Sequence, residues 1–321
     1  MHATQSSRTP AWLPFAVVGL LAAIGIVAFL ILTGGTDEPE PSPTATASPS
    51  PTAEPSPSPT FNEALLNERL TVLFVGTDVN EARAGRDEPV NTDALLLVSV
   101  SADQSEVVEI SLPRDTVDVP LPDGGAWQLK INGLYREQGI DALVGAMETL
   151  YAAEIEGHVL LDMDDFAELV EGVGGITVSP EGPLDDAPIG LDLDAGEQEI
   201  DGETALSYVR TRVDTDYGRM GRHQEAMVAL MQAVTDADAE LDLPSLLEGL
   251  ESLETDLPLD DLPTLLEIVR RAQDAEIRQL VIGPPEFLVF EGDRGDGRGY
   301  IIQIDVEAVR AEVQELITDA G

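Results

Sequence analysis

The 321-residue chain has no cysteine, which excludes a disulfide framework, a thiolate nucleophile and a cysteine-based zinc site. Histidine is almost as scarce. His2, His158 and His223 are the only three, and they suggest neither a Ser-His-Asp nor a Cys-His arrangement. Cations are few: 17 basic residues face 61 acidic ones, for a formal net charge of −44, and Lys130 is the single lysine among sixteen arginines. Binding to duplex nucleic acid depends on basic patches that neutralise phosphates, so this balance argues against a nucleic-acid partner. The acid is spread over nearly every segment and reads as a solvated surface.

What is present begins with apolar content of 43%, ample for a core in a chain of this length. Residues 11–33, AWLPFAVVGLLAAIGIVAFLILT, carry no charge and are long enough to span a hydrocarbon core of roughly 30 Å. They are expected to form a transmembrane helix. Arg8 precedes it, Asp37, Glu38 and Glu40 follow it, and no basic residue occurs between Arg8 and Arg69. Basic flanks stay on the cytoplasmic side, so residues 1–10 are expected inside and the bulk of the chain outside. Residues 34–60 are rich in Pro, Ser and Thr, a composition that extends and cannot build a core, and are expected to be a disordered spacer.

From about residue 61 the pattern is that of one α/β domain. The apolar runs at 70–76, 94–101 and 107–113 read as strands. Residues 132–153 have helical spacing with a break at Gly139. HVLLDM reads as a strand, DDFAELVEGVGG as a capped helix and ITVSP as a further strand. ETALSYVR, 203–210, is a helix behind Asp201 as cap. Helices are also expected over 221–237, 243–253, 260–274 and 306–318, with strands over 277–282 and 300–304. Alternation of this kind predicts one α/β domain with a central sheet covered by helices.

The scarce cations are not evenly placed. YVRTRVDTDYGRMGRHQ, residues 208–224, holds Arg210, Arg212, Arg219 and Arg222. If the chain is extended as it leaves the short helix, Arg210 and Arg212 point to one side and form a two-pronged anion clamp. Asp216, Tyr217 and Gly218 would supply a turn, with Arg219 opening the next helix, whose free amides favour anions. The alternative is that these arginines only neutralise Asp214, Asp216 and other nearby acids. A second cluster falls at strand ends: Asp78, Asp93 and the Arg114-Asp115 pair. Two carboxylates beside an arginine suit a Mg²⁺ ion that bridges phosphate oxygens, although aspartates in such loops also serve as turn formers.

Taken in order, VGTD, NTDALLLVSV, ISLPRDT, KINGLY, GVGGITV, ALSYVRTR and DYGRMGRHQ resemble the LytR-CpsA-Psr family from about residue 70 to the end. The resemblance implies a three-layer α/β/α domain with a central mixed sheet, and an extracytoplasmic phosphotransferase in cell-wall assembly that takes a glycopolymer from a polyprenyl-pyrophosphate lipid, held by an apolar pocket, and attaches it to peptidoglycan. It implies Asp78 and Asp93 as Mg²⁺ ligands, and Arg114, Arg210, Arg212 and Arg219 on the pyrophosphate with Lys130 close by. Asp216 would orient Arg219 or act near the acceptor hydroxyl. Two positions depart from the family pattern: Asn91 stands where an arginine is expected and His223 where a glutamine is. Either pyrophosphate binding is weaker or Arg83 or Arg86 supplies the missing charge, and His223 would donate a hydrogen bond to the pyrophosphate. Two other readings share the same clamp, namely a non-catalytic module that binds polyprenyl phosphate or wall polymer, and a polyprenyl-pyrophosphate pyrophosphatase.

Overall fold

The computed structural model describes residues 61–78, 90–235, 254–258 and 261–318. The expected membrane span and spacer, the loop with Arg83 and Arg86, and the helix expected over 243–253 lie outside the described residues. Among the described residues no helix is long and apolar enough to cross a membrane.

Strands β1 (Leu70–Thr77), β2 (Thr92–Val100), β3 (Glu106–Ser111), β4 (Gly157–Leu161), β5 (Glu254–Thr255) and β6 (Glu276–Val281) form one sheet in the order β5-β4-β1-β2-β3-β6. The sheet is mixed: β1 runs parallel to β4, β3 parallel to β6, and the other neighbours are antiparallel. Central strands are buried on both faces, and the period-2 alternation of side chains sorts them into two cores. Val72, Phe74, Leu96 and Val98 join the core of one face. Leu73, Val75, Leu95 and Leu97 join the core of the other.

Helices α1 (Ile140–Tyr151) and α6 (Val306–Thr318) cover the second face. Helices α2 (Met163–Gly172), α3 (Gly202–Arg210), α4 (Asp216–Thr235) and α5 (Leu262–Arg271) cover the first. The three-layer arrangement is therefore the one expected. Local signals account for most boundaries. Gly139, at φ 85°, interrupts the 132–153 helix between Leu134–Gln138 and α1. Asp162 caps α2 through a capping box, and the Asp201 carboxylate accepts from the Thr204 amide at the start of α3.

Two expectations need correction. The stretch Asp216-Tyr217-Gly218 is not a turn before the helix but the first turn of α4 itself. The Thr215 hydroxyl accepts from the Gly218 amide at 2.9 Å, acting as the N-terminal cap and moving the helix start ahead of Arg219. A hairpin of β7 (Leu288–Asp293) and β8 (Tyr300–Ile304) is also present, of which only β8 was expected.

Candidate functional site

The site begins with one pairing register. Gly76 of β1 lies opposite Ala94 of β2, and a bulge follows before Thr77 meets Thr92. A Cβ on Gly76 would sit 2.9 Å from that of Ala94, so only glycine allows this approach. Beyond the bulge the Asp78 amide donates to the Asn91 carbonyl at 3.1 Å, and the Asp78 carboxylate accepts from the Asn91 amide at 2.9 Å. Asp78 and Asp93 are thereby set at the same end of the sheet.

Arginines arrive from three other elements. Arg114, from the loop after β3, donates through Nη1 to one oxygen of Asp93. Arg212 Nη2 lies 3.6 Å from the other oxygen. Arg219 Nη1 donates to the Asp93 carbonyl at 3.2 Å. One aspartate thus tethers three arginines separated by up to about a hundred residues in sequence. Asp216 Oδ1 accepts from Arg219 Nε at 3.1 Å and lies 3.8 Å from Arg212 Nε. Arg219 Nη2, 2.8 Å from that same oxygen, lacks the alignment of a hydrogen bond and is left as a buried, unpartnered donor. Arg114 Nε is another. Burial pushes the Arg219 guanidinium below its ordinary value, with Asp216 opposing and the like charges of Arg212 and Arg114 adding to the shift. Unused donors among mutually repelling cations are what an anion would satisfy.

Arg210 is the last residue of α3 rather than extended, yet Arg210 and Arg212 both line one cavity. Thr211 is extended and buried between Arg210 and Arg212, its hydroxyl donating to Asp186 at 2.7 Å. Arg210 is exposed and, among the described residues, is given no ion pair or hydrogen bond by its side chain. Arg222 is different. It donates to the Tyr208 and Thr211 carbonyls and to both oxygens of Asp214 at 2.6–3.0 Å, and is only 6% exposed. It ties the end of α3 to α4 and belongs to the scaffold.

Below this polar cluster lies a cavity of about 450 Å³ between sheet and helices, walled by Phe74, Leu96, Phe166, Leu206, Val209 and Met227. Asp78, Asp93, Arg210, Arg212, Arg219 and His223 line it as well. His223 Nε2 sits 2.9 Å from the Val209 carbonyl. Burial, followed by the charge of Arg219, pushes its imidazole down to about 3. A neutral ring facing a carbonyl carries its hydrogen on Nε2, so the donation to pyrophosphate expected of His223 is already used and Nδ1 remains as an acceptor. Lys130 is not among the cavity residues; it pairs with Asp115 at 3.0 Å, next to Arg114.

Arg136 was missed by sequence reasoning. It donates through Nη1 to the Asn91 side-chain oxygen at 2.7 Å, so a guanidinium stands beside Asn91 after all, carried by a different element. Its sole signal was its place in KINGLYRE. Four carboxylates line the cavity, Asp78, Asp93, Asp162 and Asp186; Asp162 caps α2 and Asp186 accepts from Thr211, which leaves Asp78 and Asp93 as the hard ligands that would hold Mg²⁺.

An apolar cavity that ends in arginines and carboxylates, on a three-layer mixed-sheet domain, defines a class of α/β proteins suited to an anionic amphiphile. Within that class the chain belongs to the LytR_cpsA_psr family, whose model matches residues 41–303. It is similar to polyisoprenyl-teichoic acid–peptidoglycan teichoic acid transferase TagU of Enterococcus faecalis, 31% identical over 61% of this chain and 64% of that protein. It is also similar to the cell wall biosynthesis protein LcpA of Corynebacterium glutamicum, 26% identical over 74% of this chain and 51% of that protein. The chain thus spans about half to two thirds of the length of these curated relatives. Among solved structures, Bacillus subtilis TagV matches with a TM-score of 0.64 and 25% identity, over 78% of this chain and 98% of that one. TagT bound to LIIa-WTA matches in fold with a TM-score of 0.61 at 19% identity, over 82% of this chain and 94% of that one.

Proposed function

We propose that this protein is a phosphotransferase that moves a glycopolymer from a polyprenyl-pyrophosphate carrier onto peptidoglycan. The observation that carries the reading is the join between apolar cavity and cationic cluster, which matches an apolar chain ending in a pyrophosphate. The names of TagU as a teichoic acid transferase and of LcpA as a cell wall biosynthesis protein support it. The membrane helix over 11–33, with a cytoplasmic N-terminus and the domain outside, is part of the same proposal.

In the reaction, an acceptor hydroxyl oxygen attacks the phosphorus that bears the glycan. The bond from that phosphorus to the bridging oxygen breaks, polyprenyl phosphate leaves, and the acceptor loses its proton. Such transfer needs little covalent chemistry from the protein and relies on placing positive charge around the transition state. Arg219 and Arg114 offer their unused N–H groups, Arg210 and Arg212 close from the exposed side, and Asp93 and Asp216 hold the arginines apart in fixed positions. Asp78 and Asp93 would hold Mg²⁺, which when bound supplies further neutralisation of phosphate charge.

The test is to give the full chain, reconstituted in vesicles, a polyprenyl-pyrophosphate-linked glycan and isolated peptidoglycan. Covalent, phosphodiester-linked glycan on the peptidoglycan is expected. Release of free glycan phosphate alone would mean a pyrophosphatase, and binding without turnover would mean a non-catalytic module.

A further inference from the structure

The arginine cluster also borders the β7–β8 hairpin, none of whose residues line the apolar cavity. The β7–β8 hairpin is stitched to the Arg114 loop: the Ile302 amide donates to the Asp115 carbonyl at 3.0 Å and the Val117 amide to the Ile302 carbonyl at 2.9 Å. Two residues before Ile302 stands Tyr300, half exposed, whose hydroxyl donates to the Glu291 carboxylate across the hairpin. Tyr217 comes to the same place from the first turn of α4, one residue after Asp216. Its ring packs so closely on Gly283 that a Cβ there would lie 2.7 Å from the ring edge. The Tyr217 hydroxyl is buried beside the Glu291 carboxylate, and burial, then that charge, pushes its pKa up, so it stays protonated.

Two phenol rings that share one carboxylate, beside the arginine cluster, make a surface of defined chemistry. Ring faces pack on the C–H faces of a sugar, a carboxylate accepts from sugar hydroxyls with a strong charge-assisted bond, and a phenol donates to a ring or amide oxygen. The Glu291 carboxylate disfavours an anionic ligand at this point. We infer that Tyr217, Tyr300 and Glu291 form the acceptor subsite, which binds an uncharged N-acetylated saccharide so that its hydroxyl faces the phosphorus held by Arg114 and Arg219. The inference rests on the phosphotransferase reading and adds which side of the clamp the acceptor enters.

Two probes separate the subsite from the clamp. Chitotetraose, an uncharged N-acetylated oligosaccharide, reports on the subsite by saturation-transfer NMR, and geranylgeranyl pyrophosphate reports on the clamp by calorimetry, both with the full chain in detergent micelles. Tyr300→Ala and Glu291→Gln should each weaken chitotetraose binding tenfold or more and change the lipid pyrophosphate Kd less than twofold. Tyr300→Phe, which keeps the ring but loses the bond to Glu291, should recover part of the affinity. Arg210→Ala should do the reverse, weakening the lipid and leaving the sugar. Wild-type protein that binds the lipid but not chitotetraose, or binds it equally well in all hairpin variants, overturns the subsite and leaves the phosphotransferase standing. Failure to bind the lipid pyrophosphate overturns the phosphotransferase reading, and the acceptor assignment with it.

Discussion

At the scale of single residues, four neighbouring arginines divide into two jobs, and the division is measurable. Arg222 is buried against three residues, so Arg222→Ala leaves the Asp214 carboxylate and two carbonyls without their partner. Asp214 is partly exposed, so the cost comes mainly from the two buried carbonyls, roughly 1–3 kcal/mol each. Arg210 has an exposed side chain at the cavity, so Arg210→Ala should shift stability by no more than about 0.5 kcal/mol. Turnover should instead fall by the equivalent of roughly 3–4 kcal/mol of transition-state stabilisation, the usual worth of a preorganised donor. Chemical denaturation and kcat of the two variants side by side check this; equal effects on both properties would merge the two roles. A second residue outside the site, Glu109, is fully buried on β3 with one oxygen bound to Gln279 and the other unpartnered. Burial pushes its carboxyl up to about 8 from 4.5. Below the unfolded value both states hold the proton; between the two values only the folded state keeps it. Stability from this group is therefore full at low pH and lost as pH rises through about 8. Denaturant midpoints at pH 5 and pH 8 should differ less for Glu109→Gln than for the wild type, and equal differences would show that Glu109 is ionised in the fold.

At the scale of elements, the corner between α3 and α4 holds the clamp, and Gly218 is its most confined point. A Cβ there would lie 2.0 Å from Asp214 Oδ2, the oxygen that Arg222 Nη1 grips at 2.8 Å. Gly218→Ala, although favourable for a helix by propensity, should displace Asp214, loosen Arg222 and lower both Tm and turnover; thermal melting and kinetics of that variant give the answer, and a higher Tm would discount the packing argument. This corner also shows where sequence reading stops. Glycine in DYGR reads as a turn former, because the demand for space made by Asp214 and Arg222 is visible only once both are in place. Strands β1 to β3 were legible since each is rich in apolar residues and buried on both faces. The β7 strand was not, because its side chains alternate between half-buried and exposed without an apolar stripe. The family resemblance implied that Arg114, Arg212 and Arg219 share a site with Asp93, but not that they pair with it, and no local pattern marked the Arg136 contact with Asn91 or the join of Tyr217 to the hairpin.

At the scale of the whole molecule, a net charge of −44 surrounds a site read as taking a pyrophosphate. The two fields differ in range. Repulsion from the distributed carboxylates acts over the Debye length, about 30 Å at 0.01 M salt and about 8 Å at 0.15 M. The arginine cluster is small, partly buried and balanced by Asp93 and Asp216 within 4 Å, so its attraction is felt only at close approach and is screened less. Added salt should then remove the barrier before it weakens the clamp. Association of farnesyl pyrophosphate, followed by stopped flow at constant Mg²⁺, should speed up severalfold between about 0.01 and 0.15 M NaCl, opposite in sign to the steering of anions by cationic proteins. Dissociation should change much less over the same range, and Arg210→Ala should raise it at every salt concentration. An association rate that falls as salt is added would show that the arginines, few as they are, govern the approach of the ligand as well as its retention.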